Sequence, residues 1–157
     1  MKIDIVSYSS IMGVTLGMSP HDVEQVLGKS TFSSINPSNY LVNEYLLLSN
    51  RLIVVCFDKI EFGSVIDVHV NVFDSDTFVV NDSDPISCKL LVNTFSQLDK
   101  KKYVWDDEIL FLELGIVLGQ FDYEDDQYPK YIDIFNIGSQ DDVIDKGIFK
   151  PFDCSSI

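Results

Sequence analysis

Histidines, cysteines and paired carboxylates are the raw material of a reactive site, and this chain has few of the first two and many of the third. It holds 2 His, 3 Cys and 25 Asp+Glu in 157 residues. Asp67 and His69 alternate along an extended run, so they share a strand face, as an acid–base pair or a metal-ligand pair would. The same alternation is the ordinary pattern of a strand with one solvated face, and that reading is preferred. His21 falls in the first turn of a predicted helix, where the dipole disfavours its charged form. A catalytic triad needs one such ring beside a nucleophile and an orienting acid, and no such set stands out. Asp74, Asp76, Asp82 and Asp84 lack the spacing and loop glycine of an EF-hand. Gly115 and Gly119 sit among aliphatics with no Lys-Ser/Thr after them, which is not a phosphate loop. Cys56, Cys88 and Cys154 have no paired spacing, so neither a disulfide framework nor a zinc site is indicated. Cys56 lies in an apolar run and reads as a small core residue. The expectation is no catalytic site, no metal, no cofactor and no enzyme.

The carboxylates do something else: they cluster. The formal net charge is −14, from 11 Lys+Arg against 25 Asp+Glu, and the pI is about 4.2. Such a chain is poorly suited to gripping phosphates or an acidic membrane surface, and its natural partner is a basic protein. Between Tyr103 and Asp145 there are 12 acids and a single basic residue, Lys130. Aromatic rings accompany them. Trp105, Asp106, Asp107 and Glu108 form one candidate docking patch. Asp122, Tyr123, Glu124, Asp125, Asp126 and Tyr128 form a second, and Tyr131 and Asp133 follow. Rings serve as anchors and charges steer the approach. The competing reading places Trp105 and some tyrosines in the core, with the acids merely keeping the sheet soluble. The Asp and Pro content of 122–129 favours an exposed turn there.

These residues need elements to hold them. Ser19-Pro20-His21-Asp22, with Val23, Val26 and Leu27 on one face and Gly28 after them, predicts a capped amphipathic helix. A similar start at Asp84-Pro85 predicts a second helix carrying Ile86, Leu90, Leu91, Phe95 and Leu98. Runs at 44–48, 52–57 and 64–73 predict three strands after the first helix, and runs at 109–114, 116–121 and 130–137 predict three after the second. Phe57-Asp58 recurs as Phe121-Asp122, and Val65-Ile66-Asp67-Val68 as Tyr131-Ile132-Asp133-Ile134, at offsets of about 65 residues. The expected fold is α+β: two tandem helix-plus-three-strand repeats, 1–78 and 79–148, forming one antiparallel sheet with the helices on one face. The run 99–102 would link the second helix to its strands, and 149–157 would be a loosely held tail within this single domain. The start of the chain does not read as a signal peptide, and no apolar run spans a bilayer, so the expected compartment is the cytoplasm.

The stretch Gly13-Val-Thr-Leu16-Gly17-Met18-Ser19-Pro20 through Leu27-Gly28-Lys29-Ser30 resembles a recurring bacterial pattern in which Leu-Gly-Met-Ser opens a helix ending in Leu-Gly. It is similar to the repeat unit of the β-lactamase-inhibitor-like fold, found in outer-membrane assembly lipoproteins and in immunity proteins of bacterial toxin systems. The segments 115–122 and 131–136 are similar to the strands that follow such helices. No cysteine stands near the start, which sets the lipoproteins aside. The resemblance then implies an immunity protein that binds and neutralises a cognate toxin, of the nuclease type in a contact-dependent or polymorphic system. A nuclease must itself be basic to hold phosphates, so an acidic docking surface suits it. The alternative is an acidic inhibitor, adaptor or nucleic-acid mimic acting on another basic protein.

Overall fold

Helix formation at the first motif follows from chemistry confined to ten residues. The structure, a computed structural model, describes residues 1–58, 63–121, 128–148 and 150–151. In chain order it begins with β1 (Lys2–Val6), β2 (Ser10–Ile11) and β3 (Val14–Thr15), followed by α1 (Pro20–Leu27). The amide of Asp22 donates to Ser19 Oγ, and the amide of Ser19 donates back to Asp22 Oδ2, both at 3.2 Å. This reciprocal box satisfies two amides that the first turn would otherwise leave bare. Gly28 ends the helix at φ 86°, a conformation that a side chain would oppose.

Four strands follow: β4 (Phe32–Ile35), β5 (Leu41–Leu46), β6 (Leu52–Phe57) and β7 (Val65–Asn71). Next come β8 (Thr77–Val80), β9 (Ile86–Ser87), a 3-10 turn at Cys88–Leu90 and α2 (Leu91–Leu98). Then β10 (Lys102–Trp105), β11 (Glu108–Phe111), β12 (Ile116–Gly119) and β13 (Tyr131–Phe135) lead to α3 (Asp141–Asp145) and β14 (Lys150–Pro151). The strands make two sheets, one of nine in the order β14-β10-β11-β12-β13-β7-β6-β5-β4 and one of five in the order β3-β2-β1-β8-β9. The larger is antiparallel at every pairing. The smaller is parallel only where β1 meets β8.

The architecture is therefore a mixed α+β one with helices packed against sheets. Val23 of α1 and Leu91 and Phe95 of α2 join Ile3, Ile5, Phe78, Ile53, Val55, Val68, Val70, Ile132 and Ile134 in one core. The details differ from expectation in four places. In the nine-stranded sheet four consecutive strands rather than three follow each long helix, because Phe32-Ser-Ser-Ile and Lys102-Tyr-Val-Trp pair as β4 and β10 despite their polar content. The single expected sheet is two. The second long helix starts at Leu91, not at Pro85, since Ile86 pairs with Phe78 across the β8–β9 hairpin. Within the expected tail, Lys150 and Pro151 pair with Val104 and Tyr103.

Two buried carboxylates fasten the elements together. Asp99 ends α2 and accepts the amides of Lys101 and Glu113 at 2.7 Å and of Leu114 at 3.0 Å, tying the start of β10 to the β11–β12 turn. Asp76, just before β8, takes both contacts from Arg51 Nη2 at 2.7 and 2.8 Å. It also accepts the Phe73 amide at 2.8 Å and the Met1 ammonium at 3.0 Å. Arg51 reaches the Asn71 carbonyl as well and lies over the Phe73 ring. The pair thus clasps the β5–β6 hairpin to the start of the five-stranded sheet.

Candidate partner-binding surface

Side chains on the nine-stranded sheet alternate between the core and an outer face, and paired residues fall on the same side. One rank crosses the outer face from Tyr103 through Leu110, Val117, Asp133, His69, Val54 and Glu44 to Phe32. Its centre is polar. His69 Nδ1 stands 2.8 Å from Asp133 Oδ1, and its Nε2 is 3.3 Å from Asn71 Oδ1. Both ring nitrogens thus face oxygens, which suits an imidazolium. Tyr131 lies beside the imidazole with ring centroids 4.5 Å apart and donates its hydroxyl to Glu108.

The proton affinities follow from this crowding. Burial works against charging His69, but Asp133, Asn71 and Asp67 outweigh it and raise its pKa. Burial also raises Asp133, although His69 opposes the rise. Asp67 goes well above the usual carboxylate range through burial and the nearby Asp133 charge. Burial raises Glu108 too, with Asp133, Asp107 and Asp106 adding to the effect against the Tyr131 hydrogen bond. Cys56 is paired in register with Asp67, and burial pushes its thiol up to about 11, so it remains a neutral thiol at neutral pH. Among the described residues, no group of three or more His, Cys, Asp or Glu is arranged to hold a metal ion.

The expected docking residues separate in the structure. Trp105, Asp106, Asp107 and Glu108 come together at the β10–β11 hairpin, where Trp105 and Glu108 are paired. Asp106 takes φ 50° in the turn, a conformation Asp tolerates better than most residues. Trp105 remains 50% exposed. Asp133 is half-buried at the centre of the rank. Tyr131 is buried, because its ring packs over Gly119 and its hydroxyl is occupied by Glu108. Its hydroxyl holds Glu108 beside the His69 ring. Tyr128 packs partly against the core, with the Lys130 ammonium 4.5 Å from its ring centroid. Asp122, Tyr123, Glu124, Asp125 and Asp126 lie outside the described residues.

The His69–Asp133 contact was not foreseen from sequence. The repeat offset aligns Asp133 with Asp67, whereas antiparallel register sets it against His69. A sequence signal did exist in the matching strand runs, but only their pairing converts it into a contact. No helix among the described residues is long and apolar enough to cross a membrane. The chain matches no family model, and no curated protein or solved structure was found to be similar to it.

Proposed function

We propose that this chain acts by binding, as a cytoplasmic immunity protein that neutralises a basic, nuclease-type toxin through its acidic hairpin. One observation carries the reading: Trp105 stands half-exposed at a turn flanked by Asp106, Asp107 and Glu108. A half-exposed tryptophan beside carboxylates is a typical interface anchor. Burial and the charges of Asp133, Asp107 and Asp106 raise the proton affinity of Glu108, so an approaching cation relieves a repulsion felt at that carboxylate. Opposite fields of this kind speed association to about 10⁸ M⁻¹s⁻¹ or more. The docked protein would cover the phosphate-holding cleft or its margin and exclude substrate.

We also read the chain as two copies of one unit, a helix followed in the nine-stranded sheet by four strands, lying within 1–78 and 79–148. The succession α1 with β4–β7 and α2 with β10–β13, meeting at β7 and β13, supports this. It is the kind of tandem organisation that the resemblance implies.

The test is growth rescue. The chain is co-expressed with the product of each gene adjacent to its own that is toxic when expressed alone, as wild type and as a Trp105→Ala/Asp106→Asn/Asp107→Asn variant of unchanged thermal stability. Rescue by the wild type and its loss in the variant support the proposal. Equal rescue by both would remove the hairpin from the mechanism.

A further inference from the structure

The strand β6 reads Leu52-Ile-Val-Val-Cys-Phe57, apolar at all six positions. Antiparallel strands with one wet face normally alternate apolar with polar, and continuous apolar runs belong to strands covered on both sides. The strand β12, Ile116-Val-Leu-Gly119, has the same character and is covered on both sides. Its inward residues enter the main core, and Val117 is buried outside with Leu110, Tyr131 and Phe135. There the covering groups are Tyr8, whose ring meets Phe135 edge-on at 5.9 Å, and Ile144 of α3.

Among the described residues, the other half of the sheet shows no such cover. Ile53, Val55 and Phe57 are buried, while Leu52, Val54 and Cys56 remain partly exposed on the outer face. Val54 pairs with Glu44 and Glu44 with Phe32. Leu46 pairs with Leu52, and Val42 with Cys56. Phe32 and Leu46 are 56% and 55% exposed. Exposed apolar side chains grouped on one sheet face are what a contact site presents. No Lys or Arg lies on the outward positions of β4–β7, whereas Glu44 does, and the His69 ring there is already held by Asp133.

We infer that the outer face of β4, β5 and β6 is a second docking surface, which receives an amphipathic helix of a basic partner protein. A helix about 10 Å wide spans two to three strands, enough to cover Phe32, Leu46, Leu52 and Val54. A cation on that helix then meets Glu44, which lies between Phe32 and Val54. A second copy of this chain fits worse, because it would bring Glu44 and the net charge of −14 against their equals. The inference rests on the reading of the chain as a binder of basic protein, and moves much of the contact onto the half without the acidic hairpin.

The probe is a designed helical peptide of leucine and lysine, about 18 residues or five turns long, with a leucine–glutamate twin as its control. It is titrated into the isotopically labelled full chain and followed by methyl and amide NMR. The expected result is shifts at Val42, Leu46, Leu52 and Val54 with the lysine peptide alone. Val54→Lys and, as an uncharged variant, Phe32→Ser should each weaken binding about tenfold or more. Shifts confined to 105–108 would overturn the second surface and leave the basic-partner reading standing. Equal binding of both peptides would overturn the charge preference. A concentration-dependent dimer abolished by Val54→Lys would make a second copy the occupant and overturn the proposal. An absence of shifts at both surfaces would overturn this inference and the underlying reading together.

Discussion

Replacing Asp76 by Ala should be among the most damaging single changes this fold can suffer. Arg51 and Asp76 side chains are each 1% exposed and 2.7 Å apart, so the substitution strands a guanidinium in the interior. Breaking one partner of such a pair costs about 3–5 kcal/mol, because the remaining charge keeps its desolvation penalty. The Phe73 amide and the Met1 ammonium lose their acceptor as well. For a chain of this size each kcal/mol moves the midpoint by about 2–4 °C, which gives a fall of about 6–20 °C. Urea unfolding followed by circular dichroism reads the free energy directly. The volume-matched double change Arg51→Met/Asp76→Leu should be markedly less damaging than Asp76→Ala, since it removes both charges. A loss below about 1 kcal/mol for Asp76→Ala, or a double variant no better than the single, would refute the reasoning. Burial opposes ionisation of Asp76, yet the Phe73 amide, Arg51 and the Met1 ammonium together hold its pKa below the ordinary value. Its contribution is therefore present above the unfolded carboxylate pKa of about 3.9 and is lost as pH falls through the lower folded value.

The polar centre behaves in the opposite sense. His69, Asp67 and Asp133 all have folded pKa values raised above their unfolded ones. Each contributes stability that is present below its unfolded pKa and lost as pH rises through the folded value. Urea midpoints should therefore fall between pH 5.5 and 8.5, and His69→Gln should flatten the part of the fall above about pH 6.5. A midpoint that rises over this interval would contradict the assignment. At Gly119 an added methyl would collide with the Tyr131 ring, which is held by Glu108 and His69. Gly119→Ala should cost about 1–3 kcal/mol by overpacking, and tyrosine fluorescence should report displacement of the ring. An unchanged midpoint and spectrum would mean that the ring is free to move aside.

What could be read from the chain depended on how local its cause was. The helix at Pro20–Leu27 is fixed by Ser19, Asp22 and Gly28, all within ten residues, and it forms where those residues place it. The strand at 65–71 declares itself by alternation. The start of α2 could not be read the same way, because Ile86 is claimed by Phe78, and only pairing reveals that claim. Polar composition concealed β4 and β10 until β5 and β11 supplied their ladders. The docking hairpin was legible as a cluster of residue types at 105–108. That Trp105 faces solvent while Tyr131 is buried was not, since Tyr131 is held by Glu108 and His69 from two other strands. Arg51 drew no notice in the sequence. Nothing near it announces a partner 25 residues away.

The central proposal, that an acidic surface captures a basic protein, is tested most directly by measuring, as salt is raised, affinity for a toxin domain whose toxicity the chain suppresses. Calorimetric titration at about 50 and 300 mM salt spans screening lengths from well above to well below 10 Å. The account predicts tight binding at low salt that weakens about tenfold or more at high salt, with most of that dependence removed in Asp106→Asn/Asp107→Asn. No binding, or an affinity indifferent to salt and to those two carboxylates, would contradict it.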